Sequence, residues 1–261
     1  MPSPILHRLL NPLTFTLRNA LRFRRAGYSE GPLDLESLSP SLRTDLTSPR
    51  ARELEARFGL AAYKPRLGHA AYTKSLFALD VLERIPALTP VDSLRLLDIG
   101  AKNFEAAPGL HVFASRLSYA FPSLTGVELD AYPIYRNLYS RADAAHYYLS
   151  LLPGEHNYIA GDIRAHTGQS DLITWFFPFL TPSPLLWWGL PRRYLAPEAN
   201  FRHVLGLLAP GGTLVTVNYP NEEADIQREL FCDAGLTPWT ALAEGLIGRG
   251  GQTVYISAHR A

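Results

Sequence analysis

From residue 94 onward, short apolar runs alternate with stretches in which apolar residues recur at helical spacing. The apolar runs predict strands at 94–99, 124–129, 156–161, 171–177 and 213–219, followed by two β-like runs near 238–247 and 252–259. The periodic stretches predict helices near 106–121, 133–150, 197–208 and 221–234. Strands that alternate with helices favour an α/β fold, in which a parallel sheet carries helices on both faces.

Before residue 94 the pattern is helical only. Ser48-Pro49 is typical of a helix start, and Gly59 is a natural end for that helix. A second amphipathic helix is predicted over 69–85. The predicted division is a basic N-terminal arm and linker (1–47), a helical lid or extension (48–93) and the main α/β domain (94–261).

Composition narrows the function classes. The chain has 261 residues, 47% of them hydrophobic, and a net charge of +1, so we expect a packed domain and no nucleic-acid partner. Cys232 is the only cysteine, which excludes an intrachain disulfide and fits a reducing compartment such as the cytoplasm. The eight histidines show no metal-ligand spacing, and we expect no metal.

Residues 1–29 differ from the rest because they combine leucines with arginines and contain no acidic residue. The basic residues are Arg8, Arg18, Arg22, Arg24 and Arg25. Three interpretations stay open: a helix on a membrane surface, a transit peptide, or a helix packed on the domain with its arginines in water. Peripheral membrane contact through 1–29 is therefore one expected partner interaction.

Four motifs occur in order along the predicted sheet. They are Asp98-Ile-Gly100, Gly126-Val-Glu128, Gly161-Asp162 and Leu208-Ala-Pro-Gly-Gly-Thr-Leu214. In this order they resemble a class I S-adenosylmethionine-dependent methyltransferase. The resemblance implies a three-layer, doubly wound, mostly parallel seven-stranded sheet with an antiparallel last strand, to which this chain adds an N-terminal helical extension.

The resemblance also implies the cofactor, S-adenosyl-L-methionine, and its contacts. These are Asp98, Gly100, Ala101, Lys102, Glu128, Asp162 and Ile163. Glu128 is expected to accept the ribose hydroxyls, with Asp130 as the fallback, while Asp162 accepts the adenine amino group. The family's loop usually carries three alternating glycines, whereas this chain keeps only Gly100, and its spacing suggests an expanded loop over 101–109.

The acceptor side is less well defined. Trp175, Phe176 and Phe177 follow the fourth strand, where family members place substrate-facing residues. His69 and Tyr72 are the catalytic candidates, with Glu105 as a further possible base. The predicted function is methyl transfer to a small-molecule or lipid-like acceptor. The alternative is a non-catalytic scaffold with a decayed cofactor loop, and a dinucleotide-binding dehydrogenase is disfavoured because G-x-G-x-x-G is missing.

Overall fold

The computed structural model describes residues 4–86 and 88–261, and the side chains from residue 9 onward within them. The expectation for the Arg8 side chain falls outside this part. The strands are β1 (Arg95–Ile99), β2 (Ser123–Glu128), β3 (His156–Ala160), β4 (Ser170–Phe176), β5 (Leu208–Asn218), β6 (Trp239–Ala243) and β7 (Val254–Arg260).

The seven strands form one sheet in the order β3-β2-β1-β4-β5-β7-β6. Neighbours from β3 across to β5 pair in parallel, whereas β7 lies antiparallel between β5 and β6. The predicted doubly wound sheet with an antiparallel last strand is therefore confirmed. The chain reverses its winding direction between β1 and β4, and at such a switch point the carboxyl ends of the strands border a crevice.

Helices precede the sheet and cover its faces. They are α1 (Pro4–Leu21), α2 (Pro40–Leu46), α3 (Pro49–Phe58), α4 (His69–Glu83), α5 (Ala107–Arg116), α6 (Arg141–Ser150), α7 (Pro182–Trp187), α8 (Pro197–Gly206) and α9 (Glu222–Asp233). The predicted start and stop of α3 hold, because the Ser48 hydroxyl accepts the Ala51 N–H and Gly59 ends the helix at φ 71°.

Two element predictions were wrong. The helix expected from residue 133 begins only at Arg141, where Ser140 and Asp143 form a reciprocal capping box. The predicted arm and linker over 1–47 contains a second helix, α2, and the Ser39 hydroxyl caps its N-terminus. In both places a local side-chain cap sets the helix boundary.

Helix α4 packs closely on α5 and shares the sheet's main hydrophobic core. A Cβ on Gly109 of α5 would lie 2.4 Å from the carbonyl oxygen of Ser75 on α4, so the two helices can approach this closely only with glycine at that position. The domain division at residue 93 stays a prediction. No helix in residues 4–86 and 88–261 has both the length and the apolarity that crossing a bilayer requires.

Candidate active site

A cavity of about 780 Å³ opens along the carboxyl ends of the strands. One half is bordered by residues that end or follow β1, β2 and β3: Gly100, Lys102, Glu128, Leu129, Gly161, Asp162 and Ile163. The other half is bordered by residues that end or follow β4, β5 and β6: Phe176, Phe177, Phe179, Tyr219, Asn221 and Arg249. The cavity therefore spans the switch point.

The loop after β1 is compact, and the predicted expansion over 101–109 was wrong. The N–H groups of Gly100 and Ala101 both donate to the Val127 carbonyl, at 2.9 and 3.2 Å, and α5 already begins at Ala107. Three alternate residues have left-handed φ values: Gly100 at 74°, Lys102 at 52° and Phe104 at 55°. The backbone thus adopts left-handed conformations at the three alternating positions where the family usually has glycine, although two of these residues carry side chains.

Phe104 explains how the loop is held. Its side chain is fully buried, and a Cβ on Gly126 of β2 would lie 2.8 Å from the phenyl ring. The ring therefore occupies the space that a side chain on β2 would need. The Tyr158 hydroxyl on β3 donates to the Lys102 carbonyl at 2.6 Å and fixes the other side of the loop.

Glu128 lies on the cavity wall, where the sequence predicted it, and its carboxylate already has partners. Oε2 accepts the Lys102 N–H at 2.9 Å, and Oε1 accepts the Asp130 N–H at 2.8 Å. The Arg141 guanidinium lies 3.4 Å from Oε1 and also donates to the Asp130 carbonyl at 3.1 Å. This carboxylate therefore links the loop after β1 to the end of β2.

Asp130 is not a fallback for Glu128, because its carboxylate is turned away from the cavity wall. Its two oxygens accept from Nε and Nη2 of Arg18 at 2.6 and 2.8 Å, and the residue is 1% exposed. Arg18 also donates to the Gly189 carbonyl at 3.0 Å. Helix α1 is thereby tied to the wall of the cavity.

Asp162 and Ile163 both line the cavity at the end of β3. The Asp162 carboxylate accepts the Arg164 N–H at 3.0 Å and pairs with the Arg164 guanidinium at 2.5 Å. Burial acts to raise the pKa of Asp162, but these bonds outweigh it and the pKa is lowered. Asp162 therefore stays ionised and can accept a hydrogen bond from a ligand.

Two predicted cofactor contacts, Asp98 and Ala101, do not line the cavity. Both are buried. The Asp98 carboxylate accepts the Thr174 hydroxyl at 2.7 Å, which joins β1 to β4. Burial raises the pKa of Asp98 to about 7, and the Thr174 hydrogen bond partly opposes the shift. Asp98 and Ala101 therefore support the structure of the sheet and the loop and do not border the cavity.

Lys102 projects into the cavity. Its Nζ lies 3.9 Å from the centroid of the Trp188 indole, and the Arg141 guanidinium carbon lies 5.5 Å from the same ring. Burial, with the charge of Lys74, lowers the pKa of Lys102 to about 8. Trp188 therefore places an aromatic face against two cations at the cavity wall.

The predicted acceptor residues Trp175, Phe176 and Phe177 all border the cavity. Sequence reasoning missed their neighbour Arg249, which reaches the site from the loop between β6 and β7. Its guanidinium carbon lies 4.2 Å from the ring centroids of both Phe77 and Phe177. Arg249 also donates to the Tyr219 hydroxyl at 3.0 Å, and burial lowers its pKa.

The candidate bases lie elsewhere, and the expectation that they face the site was wrong. His69 is exposed at the first residue of α4. Tyr72 is buried, and its hydroxyl hydrogen-bonds to Glu55, which with burial raises its pKa. Glu105 pairs with Lys74. None of the three lines the cavity, whereas Lys74 of α4 does.

The cavity wall fits the cofactor that the resemblance implies. Gly100 and Gly161 leave room beside it, since a Cβ on either would meet no atom within 4 Å. Oε2 of Glu128 accepts one hydrogen bond and has a further lone pair, and Asp162 is a second acceptor. Ile163 provides apolar surface between them. The clusters of acidic, histidine and cysteine side chains that hold metals are absent from the described part of the chain.

No protein-family model matches this sequence, and no curated protein matches it. The structure is similar to 1,6-didemethyltoxoflavin-N1-methyltransferase of Burkholderia thailandensis (13% identity, 100% of this chain and 91% of that one, TM-score 0.46). It is also similar to magnesium protoporphyrin IX methyltransferase of Synechocystis (14%, 85% and 90%, 0.43). A third similar structure is precorrin-6y C5,15-methyltransferase of Geobacter metallireducens (14%, 70% and 85%, 0.44).

At these identities and TM-scores the similarities carry no argument about this chain, and its fold follows from its own strand order. The sheet runs β3-β2-β1-β4-β5-β7-β6, with β7 antiparallel and a cavity across its switch point. This chain has the class I, Rossmann-like fold of S-adenosylmethionine-dependent methyltransferases.

Proposed function

We propose that the protein transfers a methyl group from S-adenosylmethionine to a small-molecule or lipid-like acceptor. The observation that carries the proposal is the continuous cavity across the switch point, with Glu128 on one part of its wall and Phe176 and Phe177 on another. One end offers carboxylates and glycines, which suit a nucleoside. The other end offers aromatic rings, which suit a flat or apolar acceptor.

Different residues of the cavity wall suit different parts of the cofactor. Glu128 would accept hydrogen bonds from the ribose, Asp162 would accept one from the adenine amino group, and Ile163 would pack on the base. When bound, the cofactor supplies a methyl group on a sulfonium, which is already activated towards attack. The protein therefore has mainly to position the acceptor and exclude water, which the aromatic rings after β4 do.

The position of Arg249 indicates the charge that the acceptor carries. Its guanidinium carbon lies 4.2 Å from the ring centroids of both Phe77 and Phe177, and no carboxylate of residues 9–86 or 88–261 forms a salt bridge with it. A desolvated cation without an anionic partner favours an anionic ligand. The acceptor is therefore expected to carry a carboxylate or phosphate near a flat or apolar body. If its nucleophile must lose a proton, Lys102 is the wall residue whose lowered pKa suits a base.

Calorimetry with S-adenosylmethionine and S-adenosylhomocysteine tests cofactor binding, and Gly161→Leu provides the site-directed variant. A Cβ at Gly161 would meet no atom within 4 Å and Gly161 lines the cavity, so we expect leucine there to lower the affinity at least about tenfold with the fold intact. Gly206→Leu is the matched control. Its Cβ also meets open space, but it lies at the end of α8 and away from the cavity.

The same titration separates the enzyme from the scaffold. The hydrogen bonds that already occupy Glu128, together with the Lys102 side chain in the cavity, are the observations that favour a scaffold. Neither heat nor a thermal shift from the wild-type protein at millimolar ligand would support the scaffold and reject the proposed transfer.

The charge of the acceptor is tested with cinnamate and its neutral amide, which have nearly the same shape. We expect the wild-type protein to bind cinnamate more tightly than the amide, and Arg249→Met to lose roughly tenfold in cinnamate affinity only. Arg228→Met is the control, because Arg228 is 67% exposed on α9. Equal binding of acid and amide by the wild-type protein would remove the anionic acceptor from the proposal.

A further inference from the structure

Helix α1 presents its apolar side to solvent. Leu9, Leu13, Leu17 and Leu21 succeed one another at four-residue spacing, and each is more than half exposed. Leu10, beside them, is also exposed. Residues four apart lie on one side of a helix, so these leucines form a continuous stripe, here called the outer face of α1.

The inner side of α1 is held to the protein by both polar and apolar contacts. Asn11 donates to the carbonyls of Leu186 and Leu190 at 2.9 and 3.2 Å, and Phe15 is 5% exposed. Arg18 forms its bidentate pair with Asp130. The helix is thus held in one rotational setting, and that setting keeps the outer face away from the protein.

The charged residues of segment 1–29, and Arg193 beside it, are all basic. The whole segment 1–29 lacks acidic residues. Arg22 is exposed at the end of α1, and the exposed Arg193 has its guanidinium carbon 6.0 Å from the Phe15 ring. Trp187, on the adjoining α7, is 60% exposed. Leucines flanked by arginines and a tryptophan are typical of helices that lie in the interface of a bilayer.

We propose that the outer face of α1 docks on the surface of an anionic lipid bilayer. The leucines enter the boundary between head groups and acyl chains, while Arg22 and Arg193 approach the lipid phosphates. The cations favour this occupant over a second copy of the chain, because identical arginine-bearing faces would repel each other across a two-fold axis. The proposal goes beyond methyl transfer and does not depend on it.

Docking would place the bilayer beside the cavity. Asn11 bonds to the carbonyl of Leu186 in α7, and the neighbouring Leu185 and Trp188 line the cavity wall. Helix α1 therefore forms the outside of a wall whose inside borders the cavity. A protein bound in this orientation holds that wall against the membrane.

Co-sedimentation of the full chain with vesicles tests the proposal. We expect the wild-type protein to pellet with phosphatidylcholine vesicles that contain phosphatidylglycerol, and at least about tenfold less with phosphatidylcholine alone. Leu17→Glu should remain in the supernatant. Leu242→Glu should pellet like the wild-type protein, because Leu242 is exposed to nearly the same extent (55% against 57%) but lies on the edge strand β6.

Three outcomes would overturn the proposal. The first is a wild-type protein that stays in solution with anionic vesicles, and the second is Leu17→Glu pelleting as well as Leu242→Glu. The third is a wild-type dimer in sedimentation velocity that Leu17→Glu dissociates, which would assign the outer face to a second copy. Both substitutions are at exposed positions, and unchanged circular dichroism and thermal unfolding confirm that the variants are folded.

Discussion

Glu128→Ala should lower the free energy of unfolding by about 3 kcal/mol even without ligand, and should weaken cofactor binding by a further 1–3 kcal/mol, as estimated for buried charged hydrogen bonds. The stability loss arises because the carboxylate accepts from the Lys102 and Asp130 N–H groups and faces the buried Arg141 guanidinium. Removing it leaves those donors buried without their acceptor. Urea unfolding of the free protein measures the first effect, and calorimetry measures the second.

Asp162→Ala separates the two effects. The carboxylate of Asp162 pairs with Arg164, and 26% of the Asp162 side chain and 38% of the Arg164 side chain are exposed, so the pair contributes little to stability. We expect this variant to unfold nearly like the wild-type protein and still to bind the cofactor less tightly. Wild-type cofactor affinity in Glu128→Ala would show that Glu128 has only an architectural role.

The sequence predicted the sheet well because that information is local. Apolar runs separated by helical stretches predict a parallel sheet, and the Pro-Gly-Gly turn identifies its later part. The same locality predicted that Glu128 and Phe177 lie at strand ends, and both line the cavity. A residue at the end of a strand must lie at the edge of the sheet, because the backbone itself holds it there.

Side-chain direction within a helix was harder to predict. Tyr72 and Lys74 are two residues apart in α4, which turns them by about 200° around the helix axis. The Lys74 side chain lines the cavity, whereas the Tyr72 side chain is buried in the core. Most of α4 is buried, so the hydrophobic pattern does not mark a single inner face.

The sequence pattern gave almost no indication of contacts between segments that are far apart in the chain. Arg249 lies in a Gly-Arg-Gly-Gly stretch that sequence reasoning passes over as a turn. It reaches the cavity because β6 runs parallel to β5 and therefore ends at the same edge of the sheet. Arg18 meets Asp130 across 112 residues, a pairing that depends on the whole fold. Only the completed sheet brings such groups together.

The loop after β1 shows why a degenerate motif can keep its conformation. Two of the three glycines are missing from the sequence, whereas the structure retains left-handed φ at Lys102 and Phe104. A left-handed conformation costs a non-glycine residue roughly 1–2 kcal/mol. Burial of the Phe104 ring against Gly126 offsets this cost. The residue that must be glycine is therefore Gly126 on β2, which leaves room for the ring, and not residue 104 in the loop.

Phe104→Ala should therefore be strongly destabilising, by about 3–5 kcal/mol, because the ring is fully buried and its loss leaves a cavity over β2. Phe104→Gly should be no worse than Phe104→Ala, and better by up to about 1 kcal/mol, because glycine adopts the φ of 55° without strain. At a position with ordinary φ the order would reverse. Chemical denaturation of the two variants measures the difference directly.

Gly126→Ala completes a double-mutant cycle with the ring. In the wild-type protein the new Cβ would lie 2.8 Å from Phe104, so we expect a loss of about 1–3 kcal/mol from overpacking. In the Phe104→Ala background the contact with the ring is gone and only the Ala101 Cβ stays close, at 3.1 Å, so the same substitution should cost clearly less than in the wild-type protein. Additive free energies for the two changes would mean that the ring does not rest on Gly126, and the burial that holds the loop would have to come from elsewhere.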